Sequence, residues 1–400
     1  MNSVRHYIFP FFFLVNLFAG EIFGSYMSAK DISVKSGMLQ NWFAVIGVIS
    51  YIILMRDLFR GKNIKGNFHV IAILACILSM FIITGFFYPD VPDLYSSAIL
   101  YFGCICIASS ISGCHLATYP NFNKIDEILP FFILPIGLTI STFGYMSALK
   151  NGLVQTETSL DYQNVAYICA EMVAFGGYYI VFSTAKGLKS FNLFKIPVLI
   201  TCFVCAIVCL ISGGRGGAVL LLFYLLFFLY KLRNLRGIGI LKSFIIIGII
   251  IAIFFIIANN LNLWKSDGFS RVLSSINVDD ARAGLRRKSL QIFYDTDYVG
   301  GGLGSIWMNL GIYSHNIFLD LLAEIGILGC IVVSLSIYKI VKKLLRLSKE
   351  NIGCMLILLI FFKGFILCLF SGYWLNTYQL WFAVGFVFAL PSINSLRNAR

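Results

Sequence analysis

Apolar stretches long enough to cross a bilayer recur along the whole chain, and this recurrence restricts the fold more than any other feature. A helix needs about 20 mostly apolar residues to pass the hydrocarbon core, and lipid tolerates no exposed irregular backbone. Twelve stretches qualify, near 7–24, 40–55, 68–88, 94–112, 128–148, 164–184, 195–212, 218–230, 243–263, 315–337, 352–371 and 378–393. The eighth is short and invites extension into its flanks. The first has no small-residue cleavage site and reads as a retained helix. The sequence therefore predicts an all-α polytopic membrane protein of about 12 transmembrane helices, with residues 1–400 forming one integral membrane domain. Charged residues are only 12% of the chain and hydrophobic ones 59%. A soluble domain carries about 25% charged residues, so a soluble enzyme, a disordered chain and a secreted disulfide scaffold are ruled out.

The net charge of +13 would suggest nucleic acid in a soluble protein. In a membrane protein it records orientation, because Lys and Arg gather in cytoplasmic segments. The N-terminus, 56–67, 113–127, 185–195, 231–242, 338–350 and the C-terminal tail hold 20 of the 31 Lys and Arg against four acids. The alternate segments hold ten basic and ten acidic residues. Both termini are thus expected in the cytoplasm, and the outer face is neutral overall. No nucleic-acid partner is expected. The eleven cysteines fall in spans or at cytoplasmic ends, so no disulfide is expected. Cys202, Cys205 and Cys209 on the seventh span read as small packing residues rather than a metal site.

One outer segment differs from the rest. Residues 264–314, between the ninth and tenth spans, form a polar loop of about fifty residues. Loops of this length are usually functional or disordered. Here Asp279 and Asp280 precede a helical stretch, Ala281 to Phe293, and suit its N-terminus better than a metal site. Gly300, Gly301, Gly302 and Gly304 then turn the chain into the tenth span.

Three features converge on the outer side. The turn Ser212-Gly213-Gly214-Arg215-Gly216-Gly217 brings one Arg to the surface, and its glycines permit close approach of another group. Taken alone it could be a plain helix connection. The loop helix carries Arg282, Arg286, Arg287 and Lys288, with Arg282 and Arg286 on one face. Such a run is most often a solvated face. The third feature, Ser314-His315-Asn316, supplies the one histidine of four that maps outside. An imidazole accepts a proton near neutral pH, and guanidinium binds phosphate bidentately and keeps its charge.

His315-Asn316, nine residues, Gly326, two residues, Gly329 resembles the H-[NSQ]-x9-G-x-x-G signature of the O-antigen ligase and polymerase superfamily. Ser-Gly-Gly-Arg-Gly at 212–216 is similar to that family's S-G-S-R-G element. The family's Arg before a G-x-G turn aligns with Arg282. Arg286 stands where the family often has Trp, and Asp297 where it often has Pro. The resemblance spans about 205–335. It implies a GT-C-like glycosyltransferase in the bacterial inner membrane, with its active site on the periplasmic loop 264–314. The implied substrate is an undecaprenyl-diphosphate-linked oligosaccharide, with membrane lipid around it and no metal or other cofactor.

In that reading His315 is the base or acceptor-positioning group. Arg215 and Arg282 (or Arg286) stabilise the diphosphate leaving group. Arg287, Asn316, Gly214 and Gly216 join Arg286 as substrate-binding candidates. A single displacement would invert the anomeric centre. Polymerisation of O-antigen repeat units is favoured over ligation to lipid A-core by the compact loop and loosely kept motifs. A chain-length regulator and a flippase of the same pathway are the implied protein partners. A transporter or flippase role for the chain itself is the rival class. It fits poorly with a connection of about ten residues after the sixth span and no internal repeat.

Charges within spans mark function or pairing. Asp320 and Glu324, one turn apart, suggest an ion pair with Lys363. Glu21 and Glu171 are open between cavity lining and structure. Trp264, Tyr294, Tyr298, Trp307, Tyr313 and Trp374 are candidates for stacking on sugar rings or for an interfacial belt.

Overall fold

A computed structural model describes residues 106–117, 125–151, 162–182, 192–236, 281–351 and 353–390, with residues 52, 75, 77–80, 82–85 and 259. The predicted first, second and ninth spans, apart from residues 52 and 259, lie outside the described residues. So do residues 56–67, Glu21, Trp264, Asp279 and Asp280. Among the described residues helix is the only regular structure. The helices are α1 (Ala108–Ala117), α2 (Ile125–Ile128), α3 (Pro130–Asn151), α4 (Tyr162–Phe182), α5 (Asn192–Ile211), α6 (Arg215–Arg236), α7 (Ala281–Asp295), α8 (Ser305–Leu310), α9 (Ile317–Glu350), α10 (Gly353–Phe370) and α11 (Tyr378–Ala389). A 3-10 turn covers Trp374–Asn376.

Five helices are long and apolar enough to cross a membrane: Pro130–Ser147, Tyr162–Phe182, Leu193–Ile211, Ile317–Lys349 and Gly353–Phe370. They fall on the predicted fifth, sixth, seventh, tenth and eleventh spans. Several ends differ from expectation. The eighth span extends both ways as α6, so Lys231 lies inside a helix with its ammonium 5.6 Å from the Phe227 ring. α1 runs on to Ala117, past the expected end at 112. α9 continues through the basic run expected as a loop at 338–350. Lys343 there donates to the carbonyl of Val387 at the end of α11 (2.6 Å), a favourable place for a cation. α11 has 12 residues, about 18 Å of helix and less than a bilayer core.

The chain forms two compact units. The first contains α1 and α7–α11. Here α1 and α11 cross at small residues: a Cβ on Gly113 would meet the Phe382 carbonyl, and one on Gly385 the Ser110 carbonyl. Close backbone approach of this kind replaces hydrophobic drive in lipid. Ser110 and Cys114 bridge the same contact through the carbonyls of Trp381 and Gly385.

The second unit contains α2–α6, with α4 buried among α3, α5 and α6. Its packing also rests on small residues. Gly176 on α4 receives the Cys202 sulfur, and Gly217 on α6 lies on Ala166. Cys202 and Cys205 direct their thiols at the carbonyls of Met172 and Gly137, the packing role their spacing suggested. Glu171 is fully buried in α4.

Candidate functional site

α9 is two helices joined across Gly326, whose φ 67° and ψ −171° lie in a region that essentially only glycine occupies. The break frees backbone groups that lipid would leave unpaired. The glycine-rich loop supplies their partners. Gly301 N–H donates to Ala323 O (2.8 Å), Gly302 N–H to Glu324 O (2.9 Å), and Ile327 N–H to Tyr298 O (3.1 Å). A Cβ on Gly326 would sit 2.2 Å from the Val299 carbonyl oxygen. The loop between α7 and α8 is therefore inserted into the break.

Glu324 occupies the same place. Its carboxylate accepts from Gly304 N–H (3.0 Å), Tyr373 O–H (2.5 Å) and Trp374 Nε1–H (3.0 Å). Burial, and then the Glu324 charge beside it, push the Tyr373 phenol well above its usual range, so it remains a donor. Asp320 accepts the Ser314 N–H (3.0 Å). The sequence suggested Lys363 as a partner of this pair; the partners seen at Glu324 and Asp320 are uncharged donors.

The turn held by Asp320 carries His315. Its φ is 61°, a left-handed conformation unusual outside glycine and found at strained functional positions. Asn316 follows as the N-cap of α9. Its Oδ1 accepts from the N–H groups of Phe318 (3.0 Å) and Leu319 (3.3 Å), which satisfies two orphan donors.

The end of α10 gathers the site. A helix C-terminus leaves carbonyls unpaired and favours positive charge. Arg282 Nη1 donates to Phe370 O (2.5 Å). Tyr313 O–H donates to Ser371 O (2.9 Å), and His315 Nδ1 faces the same oxygen at 3.1 Å. A carbonyl only accepts, so Nδ1 carries the proton. In the neutral ring Nε2 then holds the lone pair. The structure thus brings His315 and Arg282 together on two consecutive carbonyls.

Arg286, one turn beyond Arg282, is half-buried, and its Nε has no hydrogen-bond partner among the described residues. The two arginines therefore differ: Arg282 has Nη1 on a backbone carbonyl, and Arg286 has Nε without a hydrogen-bond partner among the described residues. Arg287 is exposed.

Arg215, Gly214 and Gly216 belong to the second unit. Arg215 opens α6 after a turn through Gly213 (φ 82°). Gly214 lies against Ala166 and the Tyr162 carbonyl, so it serves helix packing. Of the aromatic candidates, Trp374 is buried, Trp307 and Tyr313 are half-buried, and Tyr294 and Tyr298 are exposed.

Sequence reasoning missed the Ser371 carbonyl and Tyr373. The first has no side-chain signature. The second stood in view beside Trp374 but carried no motif. Among the described residues no group of three or more His, Cys, Asp or Glu assembles as a metal site would require. No family model, curated protein or solved structure matches the chain.

Proposed function

We propose that the chain is a GT-C-type membrane glycosyltransferase with about 12 transmembrane helices, which polymerises undecaprenyl-diphosphate-linked O-antigen repeat units at the periplasmic face of the bacterial inner membrane. The observation that carries this reading is that His315 and Arg282 meet consecutive carbonyls at the end of α10, with Nδ1 on Ser371 O and the lone pair of the neutral ring therefore on Nε2. The order of the three motifs and the alternation of charge along the chain support it.

In the proposed step the acceptor sugar hydroxyl attacks the anomeric carbon of the lipid-linked donor. Its proton passes to Nε2 of His315. The bond from the anomeric carbon to the diphosphate oxygen breaks, and its electron pair leaves with the diphosphate. The Arg282–Arg286 face neutralises the charge that develops there. One displacement inverts the anomeric configuration.

Purified protein given lipid-linked repeat units, without nucleotide sugar or metal, is expected to extend the glycan. Failure to extend it, or growth that requires Mg²⁺, would overturn the mechanism. A deletion strain is expected to carry single repeats on lipid A-core. A bare core with accumulated lipid-linked polymer would assign ligation instead.

A further inference from the structure

The ring of Tyr313 lies edge-on against the imidazole of His315, with centroids 4.5 Å apart and planes at 63°. Tyr313 is itself held on three sides. Its hydroxyl is on Ser371 O, its ring stacks on Tyr373 at 5.7 Å and 22°, and Trp307 meets it at 5.8 Å. Tyr373 is 3% exposed and is anchored in turn by Glu324 at 2.5 Å, next to the break in α9. A rigid line of side chains therefore runs from the broken helix to the imidazole.

An imidazole turned over about its Cβ–Cγ bond would present Cδ2–H to the Ser371 carbonyl in place of Nδ1–H. The ring would lose this hydrogen bond, and with it the contact that places the proton on Nδ1. We propose that Tyr313 is a positioning residue, whose ring blocks this turn so that Nδ1 stays on Ser371 and Nε2 stays the basic nitrogen. The proposal rests on the reading of His315 as the base, and one of its two readouts does not require activity.

The full chain, labelled with ¹⁵N-histidine in lipid nanodiscs, is compared by NMR near pH 8, where histidine is largely neutral. The His315 signal is identified by its loss in His315→Gln. Wild type is expected to show the Nδ1–H tautomer, and Tyr313→Leu a mixture. In turnover assays Tyr313→Leu is expected to lower kcat about tenfold or more with KM unchanged, because a small misplacement of a reacting group is that costly. Tyr313→Phe keeps the ring and is expected to restore the single tautomer, with kcat within about threefold of wild type.

An unchanged tautomer and kcat in Tyr313→Leu, or a Phe variant as impaired as Leu, would overturn the proposal. A tautomer that responds to Tyr313 in a protein whose His315→Ala variant is fully active would uphold the positioning and remove the base role.

Discussion

The two units are built from similar apolar helices and are organised differently. Among the described residues of 125–236 the helices carry no break like that at Gly326, and glycine, alanine and cysteine let them approach closely. In residues 281–390 a helix is broken at Gly326, and Asp297, Tyr298 and His315 adopt left-handed conformations. There a buried carboxylate is satisfied by three donors. Strain of order 1–3 kcal/mol per residue persists only where surrounding contacts enforce it. The contrast teaches that the irregular unit spends its interactions on holding a few polar groups in place, whereas the regular unit spends them on packing.

His315→Ala should have the largest effect, about 10²–10⁴-fold on kcat in the lipid-linked extension assay. Full activity would detach the chemistry from the irregular unit. Arg215 tests whether the regular unit also contributes chemistry. If the motif's Arg215 takes part in the chemistry, Arg215→Ala lowers kcat about 10²–10³-fold with normal expression, and wild-type rates would confine that unit to packing.

Glu324→Leu strands the Tyr373 hydroxyl, the Trp374 indole and the Gly304 amide. Each unpaired buried donor costs about 1–3 kcal/mol, so thermal unfolding in detergent should move sharply downward. Glu324→Gln retains an acceptor and should lose clearly less. Equal losses would show that the carboxylate is not held for its hydrogen bonds.

Gly326→Ala should destabilise by roughly 1–3 kcal/mol through its backbone conformation alone. The smallest effect should have the opposite sign. Among the described residues nothing lies near the Cβ position of Gly284 in α7, so Gly284→Ala should raise stability by about 0.4–1 kcal/mol. A loss there would mean that the α7 face makes a contact beyond the described residues.

The parts of the fold legible in the sequence were those governed by local hydropathy. Five predicted spans recur as helices because a run of about 20 apolar residues has few alternatives in lipid. Helix ends were less legible. Lys231 and Lys343 were assigned to loops by their charge, but long side chains let a helix continue while the ammonium finds a ring or a carbonyl.

At the site, residue identity was legible and partnership was not. His315, Arg282, Gly326 and the 300–304 glycines all stood out in the sequence. That the loop glycines pair with the break at Gly326 depends on long-range backbone contacts with no periodicity to betray them. The expected Lys363 partner for Glu324 followed from counting charges. The three donors seen on Glu324, an indole, a phenol and an amide, carry no formal charge to count.

The break at Gly326 has a consequence for geometry along the chain. An intact helix turns about 100° per residue, so any insertion would swing everything beyond it around the axis. At Gly326 that rotational record is erased and restarted by the inserted loop. The stub Ile317–Ile325, about 14 Å long, is therefore phased by its own nine residues and not by the length that follows. The spacing from His315 to Gly326 is a fixed ruler, and a single residue added within it would turn the His315 end of the stub away from α10.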